Sequence, residues 1–150
     1  MNFRPNLSTE SKTNEYESVV KYMVPVKDLV TVGPDQSINE VIDLILEKRI
    51  SGAPVLDEAR KLVGMISEKD CLKIIVDQAY HNQPMSSPKV SDYMTTNVKT
   101  LSPKHDVVDA ANEFLSSPIR RMPIVENGVL IGQVSRRDIL KASKNISPTK

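Results

Sequence analysis

Apolar residues recur in two rhythms along this 150-residue chain. Ile38, Val41, Ile42 and Ile45 fall at helical spacing, so they predict a helix with one buried face. Ser37-Ile38-Asn39-Glu40 precedes them with the spacing of a capping box, in which Ser caps the first turn and Glu reaches back. Val107, Ala110, Ala111, Phe114 and Leu115 repeat that face, with Asp106 as the expected cap. Each helix is followed by two short β-prone runs. They are 54–56 and 62–66 around the polar turn 57–61, then 123–125 and 129–134 around Glu126-Asn127-Gly128. Asn-Gly favours a tight hairpin because both residues tolerate positive φ. Further helices are predicted to start near Ser67, carrying Leu72, Ile74 and Ile75, and near Ser135, carrying Ile139 and Leu140. Ahead of all this, residues 16–23 and 90–94 predict short helices. Residues 29–32 and 97–101 predict short strands, closed by Gly33-Pro34 and Ser102-Pro103.

The same string of elements is thus written twice. Tyr22-Met23 answers Tyr93-Met94 at an offset of 71, Pro34 and Pro54 answer Pro103 and Pro123 at 69, and Gly64 and Asp70 answer Gly132 and Asp138 at 68. An internal repeat sets the architecture before any local reading does. It predicts an α/β (α+β) fold of two βαββα copies related by a pseudo-twofold, each with a small sheet and two helices. The expected boundaries are a mobile leader at 1–15, a first copy at 16–80, a Pro- and Ser-containing linker at 81–89, a second copy at 90–142 and a tail at 143–150. Residues 16–142 are expected to pack as one module.

Composition narrows the picture without redirecting it. The chain is long enough for one domain with a real core. With 39% hydrophobic residues, 4% aromatics and no Trp, that core must be built from Val, Ile, Leu, Met and Ala. A net charge of +1 gives no general pull toward nucleic acid or acidic lipid. Cys71 is the only cysteine, so no intrachain disulfide forms. No apolar run resembles a secretion signal or reaches the length of a membrane span, and a cytoplasmic location is the expectation.

Two motifs recur in register. One is Ala53-Pro54-Val55-Leu56-Asp57, matched by Met122-Pro123-Ile124-Val125-Glu126. The other is Gly64-Met65-Ile66-Ser67-Glu68-Lys69-Asp70, matched by Gly132-Gln133-Val134-Ser135-Arg136-Arg137-Asp138. Together with Val90-x-x-Tyr93-Met94 they resemble the cystathionine β-synthase (CBS) domain family over roughly 19–142. The resemblance implies a tandem pair, or Bateman module, with adenine-nucleotide sites in grooves between the two copies. It also implies a regulatory protein that forms a disc-like homodimer and signals to a partner protein.

The candidate site residues have a bland reading beside that one. Ser67-x-x-Asp70 and Ser135-x-x-Asp138 suit helix capping in any protein. The same geometry suits a nucleotide, because helix N-termini attract phosphate and a carboxylate can accept from both ribose hydroxyls. Arg120-Arg121 before Met122-Pro123, with Arg136 and Arg137, offers bidentate phosphate binding or a solvated basic surface. The first copy has only Ser51-Gly52-Ala53 and Glu68-Lys69 at those places, so the two sites are expected to be unequal. Small residues at 51–53 suit close approach to a flat base. By the resemblance, the Asp138 groove would combine Ser135 and Arg137 with Ser51, Gly52, Ala53 and Lys27. The Asp70 groove would combine Ser67 and Lys69 with Thr95, Thr96 and Met122. The expected ligand is AMP, ADP, ATP or S-adenosylmethionine, with no catalytic cofactor. No catalytic or metal-binding constellation assembles around Cys71, His81 or His105. A ligand-free dimerisation module is the rival reading. A nucleic-acid role would rest on the Arg pairs and on Lys141, Lys144 and Lys150, without stacking aromatics or a recognition helix.

Overall fold

The computed structural model describes residues 16–81 and 88–145. The expected leader at 1–15, most of the linker (82–87) and the end of the tail (146–150) lie outside the described residues. The chain is a mixed α/β protein. Its elements run β1 (Val24–Pro25), α1 (Ile38–Lys48), β2 (Gly52–Leu56), β3 (Leu62–Ser67), α2 (Glu68–His81), α3 (Val90–Tyr93), α4 (Val107–Leu115), β4 (Arg121–Glu126), β5 (Val129–Ser135) and α5 (Arg136–Ala142).

The helices start where their caps predict. Asp106 and Asp109 form a reciprocal box at α4, and Ser135 and Asp138 form another at α5. At α1, Ser37 Oγ accepts from the Asn39 N–H at 3.2 Å, and Glu40 stays exposed rather than reaching back. The buried face of α1 is Ile38, Val41 and Ile45; that of α4 is Val107, Ala110 and Phe114. Asn127 and Gly128 both take positive φ, 54° and 83°, and close the β4–β5 hairpin as their types predict.

Three expectations need correction. The strands at 29–32 and 97–101 each reduce to one bridging residue, Val32 beside Val55 and Leu101 beside Ile124. Val32 donates to the Pro54 carbonyl and Leu101 to the Pro123 carbonyl, at 3.0 and 2.9 Å. Neither proline has an N–H to donate to the next rung, so the parallel ladder stops there. The helix expected over 16–23 is a single 3-10 turn, Val19–Lys21.

By compaction the described chain groups into two units. Unit 1 holds residues 16–27, 100–126 and 131–145; unit 2 holds 28–81, 88–99 and 127–130. Each unit therefore joins the leading segment of one repeat to the body of the other. Val24 and Pro25 pair with Gln133 and Gly132 in the sheet β1-β5-β4, while Thr95 bridges to Met65 beside the pair β2-β3. The repeated glycines make room for these leaders. A Cβ on Gly64 would sit 2.7 Å from Met94 Sδ and 2.9 Å from the Thr95 carbonyl. One on Gly132 would sit 2.8 Å from the Val24 carbonyl and closer still to Met23 Sδ. The repeated tyrosines tie the leaders down: Tyr93 donates to Asp77 at 2.7 Å, and Tyr22 accepts from Asn145 at 2.8 Å. The Asp77 carboxylate at that hydrogen bond pushes the Tyr93 phenol up to about 12.

Each unit has its own core. Val19, Leu101, Val107, Phe114, Met122, Ile124 and Val134 fill unit 1; Val32, Ile38, Val41, Val55, Ile66, Ile74 and Val90 fill unit 2. Cys71 joins the second core at 8% exposure, and burial raises its thiol pKa. Among the described residues, no helix is long and apolar enough to cross a membrane.

Candidate functional site

The Ser-x-x-Asp turns sit where a β-strand feeds a helix, and both use the serine as a cap. In unit 1, Ser135 Oγ accepts from the Asp138 N–H at 3.1 Å, and Asp138 Oδ2 accepts from the Ser135 N–H at 2.9 Å. Asp138 Oδ1 lies 4.0 Å from the ammonium of Lys141, and 15% of the side chain stays open to solvent. Capping thus occupies one carboxylate oxygen and leaves the other available to a further donor.

The surroundings of that turn are cationic and apolar together. Arg120, Arg121, Ser135, Arg136 and Arg137 line a cavity of about 810 Å³, whose other walls include Val108, Ala111, Leu115 and Leu140. The Arg136 N–H donates to the Arg120 carbonyl at 3.2 Å, which brings the two arginine pairs to the same rim. Among the described residues, Arg121 Nε is buried without a hydrogen-bond partner. A buried N–H left unpaired costs about 1–3 kcal/mol, so it favours any acceptor that enters.

In unit 2 the equivalent turn is more fully used. Asp70 is 6% exposed. Its Oδ2 accepts from both the N–H and the hydroxyl of Ser67, each at 3.0 Å. Its Oδ1 accepts from Thr95 Oγ1 at 3.4 Å and lies 3.6 Å from Lys73 Nζ. Ser51 is close to the same turn, since its carbonyl accepts from the Glu68 N–H at 2.9 Å, and Gly52 pairs with Ser67. A Cβ on Gly52 would lie 2.6 Å from the Ile66 carbonyl, so the small residue there serves the β2–β3 pairing itself.

The sequence-predicted residues therefore divide. Within unit 1, Ser135, Arg120, Arg121, Arg136 and Arg137 line one cavity, and Asp138 adjoins it through its hydrogen bonds with Ser135. Within unit 2, Ser51, Gly52, Ser67, Asp70 and Thr95 come together, with Lys69 and Thr96 exposed. Lys27 is an exposed residue of unit 1. Met122, 0% exposed, puts its side chain in the core of unit 1, and Ala53, 1% exposed, puts its methyl in the core of unit 2. Sequence reasoning missed Lys73 and Lys141 as neighbours of the aspartates. Their signal was present, for Asp-x-x-Lys recurs at the same offset of 68 and helical spacing puts i and i+3 on one face.

Comparison with known proteins bears on this geometry. A family model described as "CBS domain" matches residues 20–77 and 90–145. The crystal structure of CBSX2 in complex with AMP superposes with a TM-score of 0.76 at 30% identity, covering 86% of this chain and 97% of that one. A plant relative of this kind, the chloroplastic CBS domain-containing protein CBSX1 of Arabidopsis thaliana, is 29% identical over 86% of this chain and 65% of its own length. The inosine-5'-monophosphate dehydrogenase of Methanocaldococcus jannaschii is 35% identical over 93% of this chain, which spans 27% of that enzyme. The chain spans between about a quarter and two thirds of the first curated relatives it matches.

Proposed function

We propose, from the premise that the chain belongs to the CBS domain family and from the geometry of its two Ser-x-x-Asp turns, that this tandem CBS pair is a non-catalytic sensor. It binds an adenosine-containing ligand of the AMP, ADP, ATP or S-adenosylmethionine class and passes its occupancy to a partner protein.

The observation that carries the reading is the cation-rimmed cavity of unit 1, lined by four arginines and by Ser135, whose capping partner Asp138 keeps one carboxylate oxygen out of the cap. Arg121 Nε lacks an acceptor there, and phosphate oxygens are the acceptors that guanidinium groups hold best. Asp138 Oδ1 takes the ribose hydroxyls, and Arg137, with Arg120, Arg121 and Arg136 nearby, takes the phosphates. The turn of unit 2 is the weaker site, with Asp70, Ser67, Lys69 and Thr96 as its polar groups, because the Thr95 hydroxyl already occupies Asp70 Oδ1. The solved AMP complex of CBSX2, at 30% identity, supports the ligand class. Exposed apolar residues on the helices support self-association as a homodimer, because a closed pair would bury them.

Calorimetric titration of the full chain with adenosine, AMP, ADP, ATP and S-adenosylmethionine tests the reading. Saturable binding of at least one of them is expected. At a hundredfold excess over Kd it would add about 2.7 kcal/mol of stability, visible as a rise in Tm. No binding and no Tm shift with any of the five would leave the bare dimerisation module in its place.

A further inference from the structure

The loops ahead of α1 and α4 are built alike, at the repeat's offset of 69. In unit 2 the Gly33 N–H donates to Gln36 Oε1 at 3.1 Å, and the Gln36 carbonyl accepts from the Val90 N–H at 2.9 Å. In unit 1 the Ser102 N–H donates to His105 Nδ1 at 2.9 Å, and the His105 carbonyl accepts from the Val19 N–H at 3.0 Å. The side chain at 36 or 105 closes the turn, and the backbone of the same residue holds the leader. Further bonds fasten each leader to its loop. The Ser91 N–H donates to the Pro34 carbonyl and the Ser18 hydroxyl to the Pro103 carbonyl, each at 2.9 Å. Val19 and Val90 are both 0% exposed, so each leader is anchored in the core of its unit.

The two closures respond differently to acid. An amide oxygen accepts at any ordinary pH, whereas an imidazole nitrogen accepts only while it carries no proton. A backbone N–H can only donate, so Nδ1 of His105 is bare and the neutral ring keeps its proton on Nε2. An imidazolium has two N–H donors and no acceptor. Histidine is the side chain that ordinarily gains this charge between about pH 5 and 8.

We infer that protonation of His105 opens the 102–105 turn and loosens the leader at 16–22, an acid switch that unit 1 has and Gln36 withholds from unit 2. The charged side chains on the elements packed at this loop are Lys104 and Asp106 beside His105, Asp109 on α4, and Glu17 and Lys21 on the leader. Glu17 is engaged by Lys21 and Tyr22, and Asp106 and Asp109 by the cap of α4, so these carboxylates serve the leader and the helix start. The neutral ring is the form that holds the turn. Docking is therefore complete above the histidine range and is lost as pH falls through it. The leader runs on into Val24, which pairs with β5, so acid reaches the support of the Asp138 turn and spares that of Asp70.

The test is amide hydrogen exchange of the full chain at about pH 5 and about pH 7.5, on either side of the usual histidine pKa, corrected for the intrinsic pH dependence of exchange. Wild type, His105→Gln and Gln36→His are compared. In the wild type, protection of the Val19 amide is expected to fall about fivefold to tenfold in acid, with Val90 unmoved. His105→Gln puts into unit 1 the side chain that unit 2 already uses, and is expected to keep Val19 protected at both pH values. Gln36→His is expected to bring the acid loss to Val90. A melting curve at the higher pH checks that each variant folds, and if one does not, the other still decides. Wild-type Val19 protection that ignores pH would overturn the inference. So would an acid loss at Val19 that survives His105→Gln, or a Gln36→His chain whose Val90 stays protected in acid.

Discussion

The turns at Asp70 and Asp138 share a motif and differ in what the leader of the other repeat lays beside them. The leaders read Tyr93-Met94-Thr95 in unit 2 and Tyr22-Met23-Val24 in unit 1. Thr95 bridges to β3 and donates its hydroxyl to Asp70 Oδ1. Val24 pairs with β5 in the matching place and has no hydroxyl to give. Asp70 therefore has Ser67, Thr95 and Lys73 around its two oxygens, whereas Asp138 has Ser135 on one and Lys141 at 4.0 Å from the other. A repeated motif need not repeat a function. The neighbour that arrives from elsewhere in the chain decides how much of the carboxylate is left.

The largest effect comes from removing the leaders, on which the comparison depends. Gly64→Val and Gly132→Val each force side-chain atoms into a backbone carbonyl, at Thr95 and Val24 respectively. Overpacking of this kind typically costs about 1–3 kcal/mol and occasionally more, and a carbonyl held in a sheet, which yields less than a flexible side chain does, puts these variants at or above the top of that range. Thermal melting should show both variants destabilised by that order. A Gly64→Val protein as stable as the wild type would mean that the Met94-Thr95 segment is not held against β3, and the account of Asp70 would lose its basis.

Next in size are the carboxylates. Removing a hydrogen bond to a charged group costs about 1.5–3 kcal/mol, roughly tenfold to a hundredfold in affinity. Asp138→Ala should weaken the tighter adenine-nucleotide site by that factor, and Asp70→Ala should change only the weaker one. Calorimetry with AMP separates the two, and equal losses at both would erase the asymmetry. Arg137→Ala sharpens the same contrast from the phosphate side. Adenosine and AMP should then bind more alike, with AMP losing about tenfold and adenosine little.

How far these differences could be read in advance depends on their range. Helix faces, the caps at Asp106 and Ser135 and the Asn127-Gly128 hairpin are local, and a few adjacent residues specify each. The gathering of Arg120, Arg121, Arg136 and Arg137 was legible because a hairpin joins them and the repeat marks their places. The exchange of leaders was legible only through the family resemblance, which set Thr95 beside Asp70, and not from the residues themselves. Tyr22-Met23 and Tyr93-Met94 are recognisable as equivalents, but nothing near Val24 says that its partner is Gln133, more than a hundred residues on. Met122 illustrates a different loss: beside two arginines it invites a ligand role, while the inward face of β4 claims its side chain for the core. The short bridges at Val32 and Leu101 follow from the prolines opposite them, which a β-propensity reading of 29–32 and 97–101 alone does not weigh.

The smallest effect is the one that isolates the cause. If Thr95 competes for Asp70 Oδ1, then Thr95→Val should release that oxygen without changing the fold, because valine is the residue unit 1 already carries there. A hydrogen bond to a carboxylate typically contributes about 1.5–3 kcal/mol net, and a separation of 3.4 Å places this one well below that range. The Asp70 site should therefore gain roughly twofold to fivefold in affinity for adenosine, while the Asp138 site stays as it was. Val24→Thr should do the reverse in unit 1 and lower affinity there by a similar factor. The two variants together exchange one methyl for one hydroxyl in each leader, so they alter little else that could shift both sites in opposite directions. Should Thr95→Val weaken the Asp70 site instead, Thr95 would be a ligand contact rather than a competitor. The inequality of the two turns would then rest on the arginines alone.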